Sequence, residues 1–254
     1  MSSSSDNPAP MEFSPTPPSN IAAQVIDFSK TPLPSYQFPE PHFALIIDNF
    51  LSPSECASLI FHAKSSASGW EPALVNTGFA TQRHMPNIRK CGRIMIDDHE
   101  IVGKLFDRLL PYLPDGIKVI RSDGPWIGSM AGSRWKWREG GGEPDKWRAV
   151  RLNERLRFLR YEKGNYFREH CDGSYVDPNT GQQSFLTFHL YLSDETTVKG
   201  GATRFFAYRK HWDVEPKLGR VLVFQHGGLV HSGVEIDYGE KVTVRTDVMY
   251  EKVE

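Results

Sequence analysis

From residue 153 to its end, the chain offers strand after strand and no helix. ERLRFLRY, QSFLTFHLYL, ATRFFAY, RVLVFQH, LVHSGVEI and KVTVRTDVMY either alternate apolar with polar residues or run apolar. Glycine-rich or charged turns separate them. The helical signals all lie earlier. Helices first and many strands later point to a barrel or sandwich with a helical buttress, mainly β within an α+β class.

The helical signals are local and specific. Ser52-Pro53-Ser54-Glu55 places serine at the cap, proline in the first turn and glutamate three residues on, a capping box. The helix it opens runs through Cys56, Leu59, Ile60 and Ala63. A second helix opens at Asp97 and presents Ile101, Leu105, Leu109 and Leu113 as one stripe. The run FALIIDNFL suits a strand ahead of both. Residues 1–40 are rich in Ser, Pro and Asn and poor in aliphatics, so they read as a disordered or extended arm. Residues 41–254 then form a single domain: helical support and a Trp-rich loop over 41–150, and the β core over 151–254.

Composition excludes several classes. Hydrophobic residues at 39% allow a sizeable core, and a net charge of -1 gives no overall field toward nucleic acid or an anionic membrane. No apolar run is long enough to span a bilayer. MSSSSDNPAPMEFSPTPPSN has neither a basic nor an apolar signal region, so a cytoplasmic or nuclear location is expected. Cys56, Cys91 and Cys171 are an odd set that suits free thiols in a reducing compartment. By alternation, Cys171 should turn into packing.

The stretch 122–148 carries Trp126, Trp135, Trp137 and Trp147 around a Gly140–Gly142 run. Loops this long are usually functional or disordered. It is read either as a lid or substrate wall, with Trp135 and Trp137 facing the substrate, or as an anchored loop packing its own aromatics on the core.

Two His-x-Asp pairs compete for the chemistry. Imidazole and carboxylate suit ferrous iron, and three ligands from one face leave positions open for cosubstrate and oxygen. His170 and Asp172 are followed by His231, 61 positions on, and by Lys241 ten further. His211 and Asp213 form the rival pair, but Asp213 lies only 18 residues from His231, too close for the crossing strands required. The first pair is preferred.

Around that pair the chain resembles the prolyl 4-hydroxylase-like branch of the Fe(II)/2-oxoglutarate-dependent dioxygenases. The motifs that carry the resemblance are YxxGxxFxxHxDG at 161–173, GGATRFF at 200–206, EPKLGRVLVFQH at 215–226, VHSG at 230–233 and GEKVTVRTDVMY at 239–250. The resemblance implies a double-stranded β-helix, or jelly-roll. It implies His170, Asp172 and His231 as iron ligands. Lys241 would pair with the distal carboxylate of 2-oxoglutarate, helped by Tyr191, and Tyr161 and Thr203 would border it. Fe(II), 2-oxoglutarate and O2 would be required, with ascorbate as a reductant.

Alternation extends the lining. Lys241, Thr243, Arg245 and Asp247 share one face, so Arg245 also looks inward, and a swap of duties between Lys241 and Arg245 stays open. Tyr161 brings Arg157 and Arg155 to the same face, either as substrate contacts or as rim residues paired with surface acids. Thr187, His189 and Tyr191 share a face; Thr187 is a candidate substrate contact, and His189 reads as a satisfied core histidine. The inward arginines favour oxidation, most simply hydroxylation, of a small carboxylate-bearing metabolite or amino acid. A prolyl hydroxylase acting on a protein or peptide is the alternative, and a cupin-like metal-binding barrel without oxygenase activity is the second. The expected partner is a small-molecule or peptide substrate, with no nucleic acid and no membrane.

Overall fold

Over Lys241–Tyr250 of the chain's final strand, Lys241–Val253, the apolar even-numbered residues meet the helices and the odd-numbered polar ones lie on the opposite face. Val242, Val244, Val248 and Tyr250 lie in the helix-side core, whereas Lys241, Thr243, Arg245 and Asp247 lie opposite, as a two-residue period requires. The computed structural model describes residues 13–14, 17–37, 41–78, 81–126 and 145–253. Its main strands in chain order are β1 (Ala22–Val25), β2 (Ala44–Asp48), β3 (Arg89–Lys90), β4 (Gly92–Asp97), β5 (Lys146–Leu152), β6 (Arg155–Tyr161), β7 (Tyr166–His170), β8 (Gln183–Tyr191), β9 (Thr203–Ala207), β10 (Lys210–Val214), β11 (Val221–Gln225), β12 (His231–Gly233) and β13 (Lys241–Val253).

Two antiparallel sheets build the double-stranded β-helix. The larger runs β1-β2-β11-β8-β13-β6-β4, with Glu71–Pro72 beyond β4 and β5 on the far half of β13. The smaller runs β10-β9-β12-β7-β3. Helices α1 (Pro53–Ser65) and α2 (His99–Leu109) cover the outer face of the larger sheet, where Leu59, Leu105 and Leu109 join Phe158, Phe188 and Val244 in one core. Each such fully buried side chain contributes roughly 1.5–3 kcal/mol.

The capping box forms as the sequence prescribes. Ser52 Oγ accepts from the Glu55 amide at 3.2 Å, and Glu55 Oε2 accepts from the Ser52 amide at 2.8 Å. Glu55 also receives Arg108 of α2 at 2.9 and 3.0 Å, which ties the two helices together. The second helix is capped by Asp98 rather than Asp97; Asp97 ends β4 and takes Arg155 instead. Leu113 lies past the helix, after a short 3-10 turn at Leu110–Tyr112.

The described part of the N-terminal arm takes the extended alternative at β1 and packs on the core. β1 pairs with β2, Ala22 opposite Asp48, and Phe28 and Leu33 are fully buried with Phe205, Leu222 and Phe224. A few well-placed apolar residues suffice where a sheet edge supplies the backbone partners. Gly219, at φ +71°, must be glycine: a Cβ there would lie 2.1 Å from the Leu51 carbonyl oxygen. Among the described residues, no helix is long and apolar enough to cross a membrane.

Candidate metal centre

β7 and β12 pair so that His170 lies directly opposite His231. Side chains opposite each other in an antiparallel pair project to the same face, and the two imidazole centroids are 4.3 Å apart. Asp172 follows β7 by two residues and swings in beneath them. Its Oδ1 is 3.7 Å from His170 Nε2, and its Oδ2 is 3.8 Å from His231 Nε2. One donor atom from each of the three residues lies within 4.8 Å of the others.

The donors are prepared for a cation. His170 Nδ1 is 2.8 Å from the Arg168 carbonyl oxygen, and His231 Nδ1 is 3.0 Å from that of Leu229. A carbonyl can only accept, so each Nδ1 carries the proton and each Nε2 presents a lone pair. Burial, reinforced by the neighbouring His231, pushes the His170 imidazole down to about 3. Burial also lowers His231. Both rings are therefore neutral near pH 7. For Asp172, burial opposes ionisation, but Arg245 and then the two imidazoles outweigh it and hold the carboxyl well below the usual range. Two neutral imidazoles and one carboxylate on one face match the donor set of a ferrous site.

The carboxylate is itself held in place. Thr187 Oγ1 donates to Asp172 Oδ2 at 2.5 Å, and Arg245 Nη2 lies 3.2 Å from Oδ1. Arg245 also reaches Asp247 Oδ1 at 3.1 Å, and Arg157 Nη1 reaches Asp247 Oδ2 at 3.2 Å. Asp247 is thus a buried hub between two arginines, with His226 3.4 Å away.

A cavity of about 480 Å³, counting its open mouth, lies against the triad. Tyr161, Thr187, Thr203, Lys241 and Arg245 all line it. Lys241 Nζ donates to the Gly201 carbonyl at 2.5 Å and sits 4.6 Å from the centre of the Tyr161 ring. Burial alone pulls its ammonium down to about 8.

Several expected residues fall elsewhere. Tyr191 is fully buried behind the wall, where its hydroxyl shares a 2.6 Å hydrogen bond with Thr203 Oγ1. Arg155 is exposed and forks onto Asp97 at 2.7 and 2.8 Å, the rim pairing with a surface acid that was one of its two readings, and it does not line the cavity. Arg157 pairs with Asp247 and does not line the cavity. Trp135 and Trp137 lie outside the described residues. Trp147 and Trp126 pack edge-on against Phe185 and Phe43, as anchored aromatics do. Cys171 is exposed rather than packed, since the pleat ends at His170 and the chain turns outward. The rival Asp213 is taken by Arg204, with both contacts at 2.7 Å.

Two wall residues, Phe167 and Arg89, carried no role in the sequence reading, and a third, His189, was placed inward but read as satisfied. Phe167 stacks on His170 with centroids 3.6 Å apart. His189 lines the cavity with its Nε2 unpartnered, rather than sitting satisfied in the core. Arg89 arrives from β3, pairing with Phe167 across 78 residues of sequence, and no local motif marks it.

Residues 156–246 match the model of the 2OG-Fe(II) oxygenase superfamily. No curated protein sequence matches the chain. Among solved structures, a Pseudomonas putida prolyl-4-hydroxylase is 20% identical, over 78% of this chain and 88% of that one, with a TM-score of 0.45. A viral collagen prolyl hydroxylase from Paramecium Bursaria Chlorella virus-1 is 16% identical over 81% and 95%, at 0.46. A Trichoplax adhaerens prolyl hydroxylase, in complex with a hypoxia inducible factor peptide fragment, is 17% identical over 81% and 82%, at 0.48. The matched stretch, residues 156–246 of 254, contains His170, Asp172, His231 and Lys241, so this part of the chain is similar to the 2OG-Fe(II) oxygenases.

Proposed function

We propose that this protein is an Fe(II)- and 2-oxoglutarate-dependent dioxygenase that hydroxylates an unactivated C–H bond of a small carboxylate-bearing metabolite or amino acid, with 2-oxoglutarate going to succinate and CO2. The supporting observation is the charge of the cavity wall: Arg89, Lys241 and Arg245 line it, against the single carboxylate of Asp172. In this reading His170, Asp172 and His231 hold the iron. Lys241, already desolvated and aimed inward, takes the far carboxylate of 2-oxoglutarate in a charge-assisted bond. Tyr191 acts through Thr203, fixing the rotamer of a wall hydroxyl. Thr187 and Arg245 hold the Asp172 carboxylate in one orientation. Bound iron and cosubstrate supply the oxidising power, and the protein contributes positioning.

The test is a paired screen. Free carboxylic acids, amino acids among them, are compared with their own amides for stimulation of succinate release. The proposal expects stimulation by an acid and none by its amide. Stimulation by prolyl peptides with no free carboxylate would instead establish the peptide hydroxylase.

Lys241 gives a second expectation. The 2-oxoglutarate carboxylate needs the charged ammonium, and burial holds that group near 8. The charge is present below that pH and lost above it. The KM for 2-oxoglutarate should therefore rise about tenfold from pH 7 to pH 9 by linkage. In Lys241→Arg the guanidinium stays charged, and KM should be flat over the same range.

A further inference from the structure

Arg89 is built into the cavity wall without an acid to meet it. On β3 it pairs with Phe167 of β7. Its Cζ lies 4.4 Å from the centre of the Phe167 ring, and that ring stacks on His170. Guanidinium, phenyl and imidazole therefore form one stack that leads to the metal-binding face, and the guanidinium lines the cavity. Among the described residues no carboxylate lies within ion-pair distance of Arg89. Its Nη1 makes a long 3.4 Å contact to the Leu74 carbonyl, and the guanidinium also meets the neutral side chains of Cys91 and Tyr161. Its Nε is shut off from solvent and has no partner.

The neighbouring arginines differ. Arg157 and Arg245 share Asp172 and Asp247, two cations for two anions. Lys241 is the cation suited to 2-oxoglutarate. Arg89 is left over: a desolvated charge with an unsatisfied donor, which a protein tolerates where a ligand supplies the missing acceptor. A guanidinium stacked on an aromatic ring keeps its edge free for a two-pronged hydrogen bond to a carboxylate.

We infer that Arg89 is the anchor for a carboxylate of the substrate, placed beside the metal face by its stack on Phe167 and His170. This rests on reading the cavity as the substrate site. The anchor comes from the smaller sheet and Lys241 from the larger, with Tyr161 touching both, so cosubstrate and substrate acids have separate cations.

The test uses protein loaded with Mn(II) and saturating 2-oxoglutarate, so that the Lys241 position is filled. Formate, acetate and propionate are titrated at constant ionic strength against their amides, with the melting temperature as readout. At ten times its Kd an acid should raise Tm by about 3–5 °C, and the amide should not. Arg89→Gln should abolish the shift, Arg89→Lys should keep part of it, and the Kd for 2-oxoglutarate should be unchanged in both. Without ligand, Arg89→Gln should melt no lower than the parent, because an unpaired buried charge has been removed. An acid shift that survives in Arg89→Gln, no acid shift in the parent, a weakened 2-oxoglutarate Kd, or a Tm several degrees lower in the unliganded variant would each overturn the inference. Failure of the protein to take up Mn(II) and 2-oxoglutarate would overturn the dioxygenase site instead. The acid titration can then be run on the unloaded protein, so the two failures are distinguishable.

Discussion

Asp172→Ala should fold and yet bind no ferrous iron at working concentrations. The variant leaves two neutral imidazoles, His170 and His231, whose Nδ1 atoms are already committed to backbone carbonyls. Two such donors are a poor ferrous site. The loss should far exceed the roughly 10–100-fold that removing an outer-shell partner produces, so succinate formation should fall at least a thousandfold. The fold should survive, because Arg245 keeps Asp247 as its counter-ion once Asp172 is gone. Metal titration by calorimetry together with a thermal melt separates these effects. Near-parental iron affinity in Asp172→Ala would remove the carboxylate from the ligand set.

Asp247→Ala should do the opposite and unfold the protein first. Asp247 is buried and meets Arg245 and Arg157, with His226 close by. Burial opposes its ionisation, but Arg245, His226 and Arg157 outweigh it and hold the carboxyl well below the usual range. Taking away the anion strands the Arg157 guanidinium and leaves Arg245 with Asp172 alone. Breaking a buried pair in this way costs about 3–5 kcal/mol. The same change frees Arg245 to collapse fully onto Asp172, competing with the metal for that carboxylate. Chemical denaturation should show the stability loss, and calorimetry on the folded fraction should show iron affinity lower by roughly one to two orders of magnitude. A variant of parental stability would mean that the arginines find other partners, and the hub would lose its standing.

The features legible in the sequence were those written in short spacings. The capping box at Ser52 and Glu55, the alternation along Lys241–Val253, and the His170–Asp172 pair with His231 are all local or periodic signals. The strand period also placed Arg245 on the inner face. What the period could not say is where a strand leaves the barrel, so Arg155 stayed open between substrate contact and rim, and it lies at the rim on Asp97. Cys171 failed for a related reason: alternation holds only while the strand lasts, and this strand stops one residue earlier. Arg89 was illegible because its position depends on a long-range register with Phe167, not on anything near it in the chain. The packing of Phe28 and Leu33 was likewise hidden, since their partners at 205 and 222–224 are remote in sequence.

The most direct measurement is an anaerobic titration of 2-oxoglutarate into the protein loaded with Fe(II), followed in the visible spectrum. A metal-to-ligand charge-transfer band that grows and saturates at one equivalent, is missing in Asp172→Ala, and needs more 2-oxoglutarate in Lys241→Ala is the predicted result. Tight iron binding with no band at any 2-oxoglutarate concentration would contradict the account and leave a metal-binding barrel without this chemistry.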